Sequence, residues 1–448
     1  MKILIVNGSP AGDDSITLQT LWYIRKHFPA HDWTLLNVTQ RLKALEADFS
    51  AARAQLLDAE LIVFSYPVYT FLVPAQLHRF LELVKADGVS LEGKFATQLS
   101  TSKHFYDTTA HEFIMENCAD LRLRYIEGLS ADMEDLLSEK GRQEARAFFR
   151  HVLWSVGNGL CAPERAPAPS VPLHAATVPE GEAERKPDAP RVAVVADLAP
   201  DGAALDAMVR RFVRTAPFAC TIVNLREFQF AGGCLGCFRC AADGACFYKD
   251  GFAALLREQI QTADATVYAF TIRDHSMGSR FKFYDDRQFC NGHRTVTMGR
   301  PVGYLVDGAL SNEPNLRQLI EARAQVGGNH LARVAGNEGD TDAEIDALIG
   351  ELAYALENDF QQPANFYGVG GMKIFRDLIY TMQGLMREDH RFYKSHGFYK
   401  DFPQKHAGKI AGMYLVGAMM RSKKLKSRLG GRMTEGMLMP YKKVLEKE

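Results

Sequence analysis

The sequence predicts an α/β protein with two parallel sheets, each covered by helices on both faces. Short apolar segments such as Lys2–Val6 and Leu61–Ser65 alternate with amphipathic stretches of helical period. The pattern then restarts, with Arg191–Ala196 and Ala265–Thr271 as its apolar segments. Between the two copies, residues 161–190 hold 7 of the 18 prolines. That composition predicts a semi-rigid linker, and the internal repeat favours two copies of one α/β unit.

Composition excludes several protein classes. The chain has 448 residues, 47% of them hydrophobic, and a formal net charge of −1. These values are typical of folded globular domains and give no indication of a nucleic-acid partner. No run approaches the roughly 18 apolar residues of a membrane-spanning helix, and the N-terminus does not resemble a signal peptide. We therefore expect a cytoplasmic protein.

The elements follow in order in each copy. In the first copy, we expect strands at Lys2–Val6, Trp33–Val38 and Leu61–Ser65. A helix at Ile16–Phe28 lies between the first two strands, and a helix without assigned bounds lies between the last two. In the second copy, we expect strands at Arg191–Ala196, Cys220–Asn224 and Ala265–Thr271. A helix at Ala204–Val213 lies between the first two strands, and an insertion followed by a helix precedes the third. The predicted domains are residues 1–160 and 191–362, joined by the linker 161–190. Residues 363–448 hold 17 Lys and Arg against 7 Asp and Glu, and form a predicted basic, helical C-terminal extension.

The turn after the first strand has the composition of a phosphate-binding loop. Asn7–Thr17 reads NGSPAGDDSIT, following a strand and opening a helix. The N–H groups at a helix N-terminus carry a partial positive charge, and Ser9, Ser15 and Thr17 add hydroxyl donors. In a doubly wound sheet a nucleotide phosphate sits at this turn. An ordinary capped helix start, with Asp14 or Ser15 as N-cap, is the alternative.

A second loop, after the third strand, is rich in aromatic residues. Tyr66–Leu77 reads YPVYTFLVPAQL. It lies at the carboxyl end of a strand, where functional loops cluster, so a flat ring could lie against Tyr69 and Phe71. The alternative is a hydrophobic contact that only stabilises the following helix.

Together these two loops resemble those of the flavodoxin-like NAD(P)H-dependent flavin reductases. Four cysteines of the second copy, spaced C-x2-C-x2-C-x5-C from Cys234 to Cys246, resemble those of the iron–sulfur flavoproteins. The resemblance implies two tandem flavodoxin-like domains, with FMN bound by the first. It implies that the phosphate and ribityl chain are held by Ser9, Pro10, Ser15 and Thr17. It implies that the isoalloxazine ring is lined by Pro67, Val68, Tyr69, Thr70 and Phe71.

A third loop, after the fourth strand, would close the pyrimidine side of the flavin by the same resemblance. Its implied contacts are Ser100, Thr101, Ser102, Lys103 and Tyr106. Lys103 and His104 could stabilise charge on reduced flavin, or could simply be solvated. The chain departs from the family at Ala11, where an arginine is usual, and in this third loop, which lacks the usual glycine pair.

Four cysteines within 13 residues form a candidate metal site in the second copy. Cys234, Cys237, Cys240 and Cys246 have the spacing C-x2-C-x2-C-x5-C. Thiolates this close in sequence can hold a 4Fe–4S cluster, as the resemblance also implies. A four-cysteine zinc site and a loop without metal remain open, although zinc sites usually use two separated pairs.

The second copy lacks the flavin-binding loops. Its first turn carries Asp197 and Asp201, whose charges would oppose an anion, and its third-strand loop contains Arg273 and His275 instead of Pro-Val-Tyr. We therefore expect one FMN and at most one cluster per chain.

The resemblance implies an FMN-dependent oxidoreductase that passes electrons from NAD(P)H, or from a ferredoxin-like carrier, to a small acceptor. A non-enzymatic electron carrier that docks on a protein partner is the alternative. The sequence identifies no catalytic residue. In the extension, the apolar run Ile410–Met420 and the basic run 421–428 could lie on a membrane surface or pack on a second subunit.

Overall fold

The computed structural model describes residues 1–237 and 239–420. The chain divides into two compact units, residues 1–390 and 391–448. Both predicted sheets lie in the first unit. The second unit holds the end of one helix and a further helix within its described residues; the basic run 421–428 lies outside the described residues. No helix in the described ranges has the length and apolar character needed to cross a membrane.

The first sheet is parallel and has the strand order β2-β1-β3-β4-β5, with β6 also pairing with β4. Its elements are β1 (Lys2–Asn7), α1 (Ile16–His27), β2 (Asp32–Asn37), α2 (Leu42–Ala47), α3 (Ser50–Asp58), β3 (Leu61–Pro67), α4 (Ala75–Asp87), β4 (Phe95–Ser102), α5 (Asp107–Asp120), β5 (Arg124–Tyr125), β6 (Leu129–Asp132) and α6 (Glu139–Gly157). The central strands are apolar on both faces because helices cover both, as a parallel sheet requires.

The second sheet repeats this topology with the order β8-β7-β9-β10-β11. Its elements are β7 (Arg191–Ala196), α7 (Ala203–Thr215), β8 (Ala219–Asn224), α8 (Arg239–Asp243), α9 (Phe252–Leu255), β9 (Ala265–Thr271), α10 (Gly278–Arg287), β10 (Pro301–Asp307), α11 (Pro314–Gly327), β11 (His330–Gly336) and α12 (Thr341–Glu357). The prediction of two tandem doubly wound sheets is confirmed.

Three helices follow the second sheet: α13 (Phe366–Thr381), α14 (Arg387–Ser395) and α15 (Ala407–Met420). The helical character predicted for the extension is therefore confirmed for its described part. Helix α13 packs on α11 within the first unit, so the start of the extension is part of the same body as the two sheets.

The two halves pack through corresponding helices. Helix α4 contacts α10, and α5 contacts α11. Strands β3 and β9 each have seven residues and start 204 positions apart, so the segments that follow them correspond residue by residue. One apolar core runs across this contact and includes Phe80 of α4 and Phe281 of α10. The halves therefore meet as two subunits of a pseudo-dimer would.

The linker holds no helix or strand over the described residues 161–190. Backbone hydrogen bonds fix it to both halves: Ala162 donates to Tyr125 over 2.7 Å, and His174 donates to Asn337 over 2.8 Å. The proline-rich composition thus gives an extended segment that runs along the surface.

Candidate functional site

A cavity of about 330 Å³ lies between the two halves at the carboxyl ends of β1, β3 and β4. This edge of the sheet is where ligands bind in doubly wound folds. Its volume falls at the lower end of the range for small-molecule sites. The first half contributes the sequence-predicted residues Ser9, Ser15, Thr17, Pro67, Val68, Tyr69, Thr70, Thr101, Ser102 and Lys103.

Four sequence-predicted residues lie beside the cavity instead of lining it. Pro10 is buried within its turn. Ser100 is buried in β4, where its hydroxyl lies 2.7 Å from His111 Nε2. Phe71 packs against Tyr106, with ring centroids 4.6 Å apart, and the Tyr106 hydroxyl donates to the Tyr367 carbonyl over 2.7 Å. The expected third loop also begins later than predicted, because Ser100, Thr101 and Ser102 belong to the strand.

The N-terminus of α1, where the sequence predicts a phosphate-binding loop, forms one side of the cavity. Ser15 is the N-cap, and its hydroxyl accepts from the Leu18 N–H over 3.4 Å. Within the described part of the chain, the N–H groups of Ile16 and Thr17 have no hydrogen-bond partner. These unpaired donors fit a phosphate. Asp14 also lines the cavity, and its carboxylate opposes an anion there.

The threonine pair Thr17 and Thr101 joins the helix start to the end of β4. Their hydroxyl oxygens lie 2.5 Å apart, and both residues are buried. Next to them, Lys103 binds Asp132 at 2.9 Å and Glu134 at 3.3 Å. Burial opposes the charge of Lys103, but these carboxylates outweigh it and raise the pKa of the ammonium group. The cavity therefore keeps a cation at this end.

The aromatic loop after β3 is a tight turn. The N–H of Tyr69 donates to the Leu72 carbonyl over 2.8 Å, and the N–H of Leu72 returns a bond of 3.0 Å. Thr70 and Phe71 both have positive φ, 42° and 70°. The turn exposes Tyr69 and Thr70 to the cavity, where the Tyr69 ring lies 6.0 Å from that of Phe289.

All four predicted cysteine ligands, Cys234, Cys237, Cys240 and Cys246, line the same cavity. A fifth, Cys290, joins them although it is distant in sequence. The Cys240 thiol donates to the Phe289 carbonyl over 2.8 Å, next to Cys290.

Burial raises the pKa of Cys234 to about 12 and those of Cys240 and Cys290 to about 11. These thiols therefore keep their protons near neutral pH until a metal displaces them.

The spacing of the sulfurs bears on the kind of metal. Among the described residues, no three cysteine sulfurs lie within 4.8 Å of one another. A tetrahedral zinc ion with Zn–S bonds of about 2.3 Å needs its sulfurs about 3.8 Å apart. As arranged, the thiols among the described residues are therefore too far apart to share a single zinc ion.

The cysteine loop, here the segment with Cys234 and Gly236, packs directly on the aromatic loop after β3. A Cβ atom at Gly236 would lie 1.9 Å from the Tyr69 hydroxyl oxygen, so the glycine allows this contact. The Gln76 amide donates to the Cys234 carbonyl over 3.5 Å. Arg287 holds the other side of the loop, pairing with both carboxylate oxygens of Asp250 at 2.8 Å.

Sequence reasoning missed the wall opposite the first half. Phe289 and His293 follow α10, and Ile374, Phe375 and Leu378 come from α13, in the predicted extension. The Phe375 ring stacks on Phe105 with centroids 4.3 Å apart. His293 Nδ1 lies 3.1 Å from the carboxylate of Asp389, which is buried. An apolar stretch in α13 was the one available signal, and it does not distinguish a cavity wall from an ordinary core.

The corresponding turn of the second half is closed by ion pairs. Asp197 is buried and bound by two nitrogens of Arg226, and Asp201 lies 3.6 Å from Arg273. The arginines neutralise the two carboxylates, and the turn has no free hydroxyl donors in the positions of Ser15 and Thr17. The missing hydroxyl donors, and not an unpaired negative charge, therefore distinguish this turn from the phosphate-type loop of the first half.

Residues 1–113 match a protein-family model described as "Flavodoxin-like fold". The first half of the chain is flavodoxin-like. The match covers the first-strand loop and the aromatic loop, and it ends within α5.

Solved structures with a similar chain course are each about a third as long as this protein. An FMN-dependent NADH-azoreductase from Bacillus anthracis, determined with FMN, is 14% identical, covers 35% of this chain and 98% of its own, and has a TM-score of 0.27. An NADPH-quinone reductase from P. pentosaceus is 18% identical, with coverages of 34% and 97% and a TM-score of 0.27. An NAD(P)H:quinone oxidoreductase from Methanothermobacter marburgensis is 10% identical, with coverages of 37% and 99% and a TM-score of 0.28. No curated protein matches the chain.

Proposed function

We propose that this protein is an FMN-dependent oxidoreductase whose single flavin site is built from both halves of the chain. The observation that carries the proposal is one cavity on which the three flavin-type loops of the first half meet the cysteine loop of the second. Neither half lines this cavity alone. The flavodoxin-like match of residues 1–113 supports the assignment of the flavin to the first half.

The phosphate of FMN would be held at the start of α1. At this helix N-terminus, the N–H groups of Ile16 and Thr17, unpaired among the described residues, and the hydroxyl of Ser15 would donate hydrogen bonds to the phosphate. Thr101 fixes the Thr17 side chain through its 2.5 Å contact. Lys103 at the neighbouring end of β4 is paired with Asp132 and Glu134, so the phosphate would be held by the N–H and hydroxyl donors of α1.

The ring of FMN would lie against the Pro67–Thr70 turn, with Phe289 and Phe375 on the facing wall. When bound, FMN supplies hydride and single-electron transfer, which no amino-acid side chain provides. The apolar wall excludes water and favours a flat, apolar acceptor. His293, positioned by Asp389, and Lys103 also lie on the cavity wall.

The four clustered cysteines would hold a 4Fe–4S cluster next to the flavin. Supporting this are their position on the shared cavity and their compact spacing in the sequence. The cluster would carry electrons between the flavin and a partner outside the cavity. A loop that has kept its cysteines without metal is the alternative outcome.

The overall reaction would oxidise NAD(P)H to NAD(P)⁺ and add two electrons and two protons to an acceptor, for example converting a quinone to a hydroquinone. NAD(P)H brings the hydride, and the second proton comes from solvent through the cavity. A ferredoxin-like protein is the alternative electron donor.

The test is anaerobic mixing of the FMN-loaded protein with NADH and with NADPH. Rapid loss of the visible flavin absorbance with either nucleotide, restored by adding a quinone, supports the enzyme. Reduction by ferredoxin or dithionite, but by neither nucleotide, favours the electron carrier. Failure of the protein to retain FMN at all would overturn the proposal.

A further inference from the structure

The turn that faces the flavin cavity has a backbone that needs support. Thr70 and Phe71 are consecutive non-glycine residues with positive φ, and Thr70 is β-branched. Such conformations are strained and persist only where the surroundings hold them. The two hydrogen bonds within the turn also form in unstrained turns, so they do not by themselves hold these φ values. The support therefore has to come from contacts outside the turn.

A buried ion pair on α10 binds the start of this turn and the start of α4, the helix that follows it. Lys282 Nζ donates to the Tyr69 carbonyl over 2.7 Å. One helical turn later, Asp286 accepts a hydrogen bond from the Ala75 N–H over 2.8 Å. Lys282 and Asp286 also pair with each other, and their side chains are 1% and 0% exposed. Both residues belong to the second half, whereas the turn belongs to the first.

The same arrangement occurs in reverse on the other side of the pseudo-dimer. The turn Arg273–Ser276 is closed by two bonds of 2.9 Å and has Asp274 and His275 at φ 50° and 61°. Glu82 of α4 accepts from the Ser279 N–H over 2.7 Å, as Asp286 does from Ala75. Corresponding residues of the two arrangements, Ala75 with Ser279 and Glu82 with Asp286, are 204 positions apart, the offset that separates β3 from β9.

We call each pair of helix residues beside such a turn a clamp: Lys282 with Asp286 on α10, and His78 with Glu82 on α4. The two clamps differ in the residue that faces the turn. His78 stands where the other clamp has Lys282. Both ring nitrogens of His78 are buried without a hydrogen-bond partner among the described residues, and its nearest carboxylate oxygens are 3.9 and 4.0 Å away. The complete clamp is therefore the one that acts on the flavin-side turn.

We propose that Lys282 and Asp286 are positioning residues for the flavin site, and that through them the second half fixes the shape of a cavity wall in the first. The Tyr69 carbonyl and the Ala75 N–H are held from outside, so Tyr69 and Thr70 stay directed into the cavity before any ligand binds. Neither residue lines the cavity, so both act through the turn. This inference rests on the proposed FMN site.

The test uses the double variant Lys282→Met/Asp286→Asn, which removes both charges together and leaves no unpaired buried ion. The amide oxygen introduced by Asp286→Asn can still accept from the Ala75 N–H, so the variant removes mainly the bond to Tyr69. A hydrogen bond from a charged donor is worth enough for the FMN dissociation constant to rise about 10- to 100-fold. At saturating FMN, the visible circular dichroism of the bound flavin should also change, because the ring meets a relaxed wall.

The matched control is Glu82→Gln, with His78→Gln beside it, in the clamp that faces away from the flavin. These substitutions act on the same contact between the halves and should lower thermal stability. We expect them to leave the FMN dissociation constant and the flavin spectrum unchanged. Hydrogen exchange at the Leu72 N–H of the FMN-free protein should speed up in the Lys282 variant and not in the controls.

Unchanged FMN affinity, flavin spectrum and Leu72 exchange in a folded Lys282→Met/Asp286→Asn protein would overturn the inference. So would equal losses of FMN affinity in both clamps, because that result would show a general effect of destabilising the contact. If the wild-type protein binds no FMN, the proposed function fails, while the Leu72 exchange rates still decide whether the pair holds the turn.

Discussion

Gly236 gives the sharpest test of the contact between the cysteine loop and the aromatic loop after β3. It has φ +62°, and an added Cβ would lie 1.9 Å from the Tyr69 hydroxyl oxygen and 3.1 Å from the adjoining ring carbon. Gly236→Ala therefore has two effects: backbone strain in the cysteine loop and a clash that must move the Tyr69 ring. We expect the displaced ring to enter the space assigned to the flavin.

The expected losses of stability and of FMN affinity follow from the two effects taken separately. Placing alanine at a positive φ costs about 1 kcal/mol. Overpacking a buried contact costs about 1–3 kcal/mol. Since about 1.4 kcal/mol is tenfold in affinity, the clash should raise the FMN dissociation constant about 5- to 150-fold. Titration of the FMN-free protein by quenching of flavin fluorescence measures this directly.

Gly244→Ala is the matched control in the same loop. Gly244 has φ +74°, so the backbone strain is alike, but its nearest neighbouring atom would be an Arg294 nitrogen at 3.7 Å. We expect a similar loss of stability with FMN affinity unchanged. Adding Tyr69→Phe to Gly236→Ala removes the clashing oxygen and should restore part of the affinity, a coupling that a double-mutant cycle quantifies. Equal FMN affinities for Gly236→Ala and Gly244→Ala would refute the reasoning.

Three further outcomes are expected. Thr17→Asp puts a carboxylate beside the proposed phosphate, and at an effective dielectric of about 20, unit charges about 5 Å apart repel by about 3 kcal/mol. The FMN affinity, measured by titration, should therefore fall at least about 100-fold. The control Thr17→Val should lose far less affinity. Cys237→Ala should remove iron from anaerobically purified protein, measured by metal analysis, and leave FMN in place; iron retained at the wild-type level would contradict the cluster assignment. Burial opposes the charge of His275, but hydrogen bonds to Asp120 and Glu313 raise its pKa to about 10. Because this pKa lies above the unfolded value of 6.5, the stability it contributes is complete below about pH 6.5 and is lost as pH rises towards 10. The free energy of unfolding should therefore fall by a few kcal/mol over that range, and His275→Gln should flatten the dependence; an unchanged slope would contradict this role.

Much of the fold could be predicted because its signals are local. Strand β9 was predicted residue for residue at Ala265–Thr271, since an apolar run between turn residues in a parallel sheet needs no long-range information. The absence of helix and strand over residues 161–190 was also predictable, because proline acts on its own backbone. The lack of Ser and Thr donors in the first turn of the second half could also be read locally, whereas the arginines that neutralise Asp197 and Asp201 are distant in sequence.

The rest of the site depends on contacts that sequence spacing does not reveal. Cys290 looked isolated because it is 44 residues beyond Cys246, yet the segment after α10 returns to the same cavity. Phe375 looked like part of a separate extension, because its helix lies beyond the second sheet. The clamp of Lys282 on Tyr69 joins two halves more than 200 residues apart. Such features follow from the pseudo-dimer packing and not from any one segment.

The division of roles between the halves is tested most directly by composition. The protein should be purified without oxygen, saturated with FMN and freed of excess flavin. FMN per chain should then be measured together with iron and sulfide. We expect one FMN per chain, and four iron and four sulfide if the cysteine loop holds its cluster. Two FMN per chain would contradict the assignment of the flavin to a single cavity shared by both halves, and no bound FMN would contradict the flavin site itself.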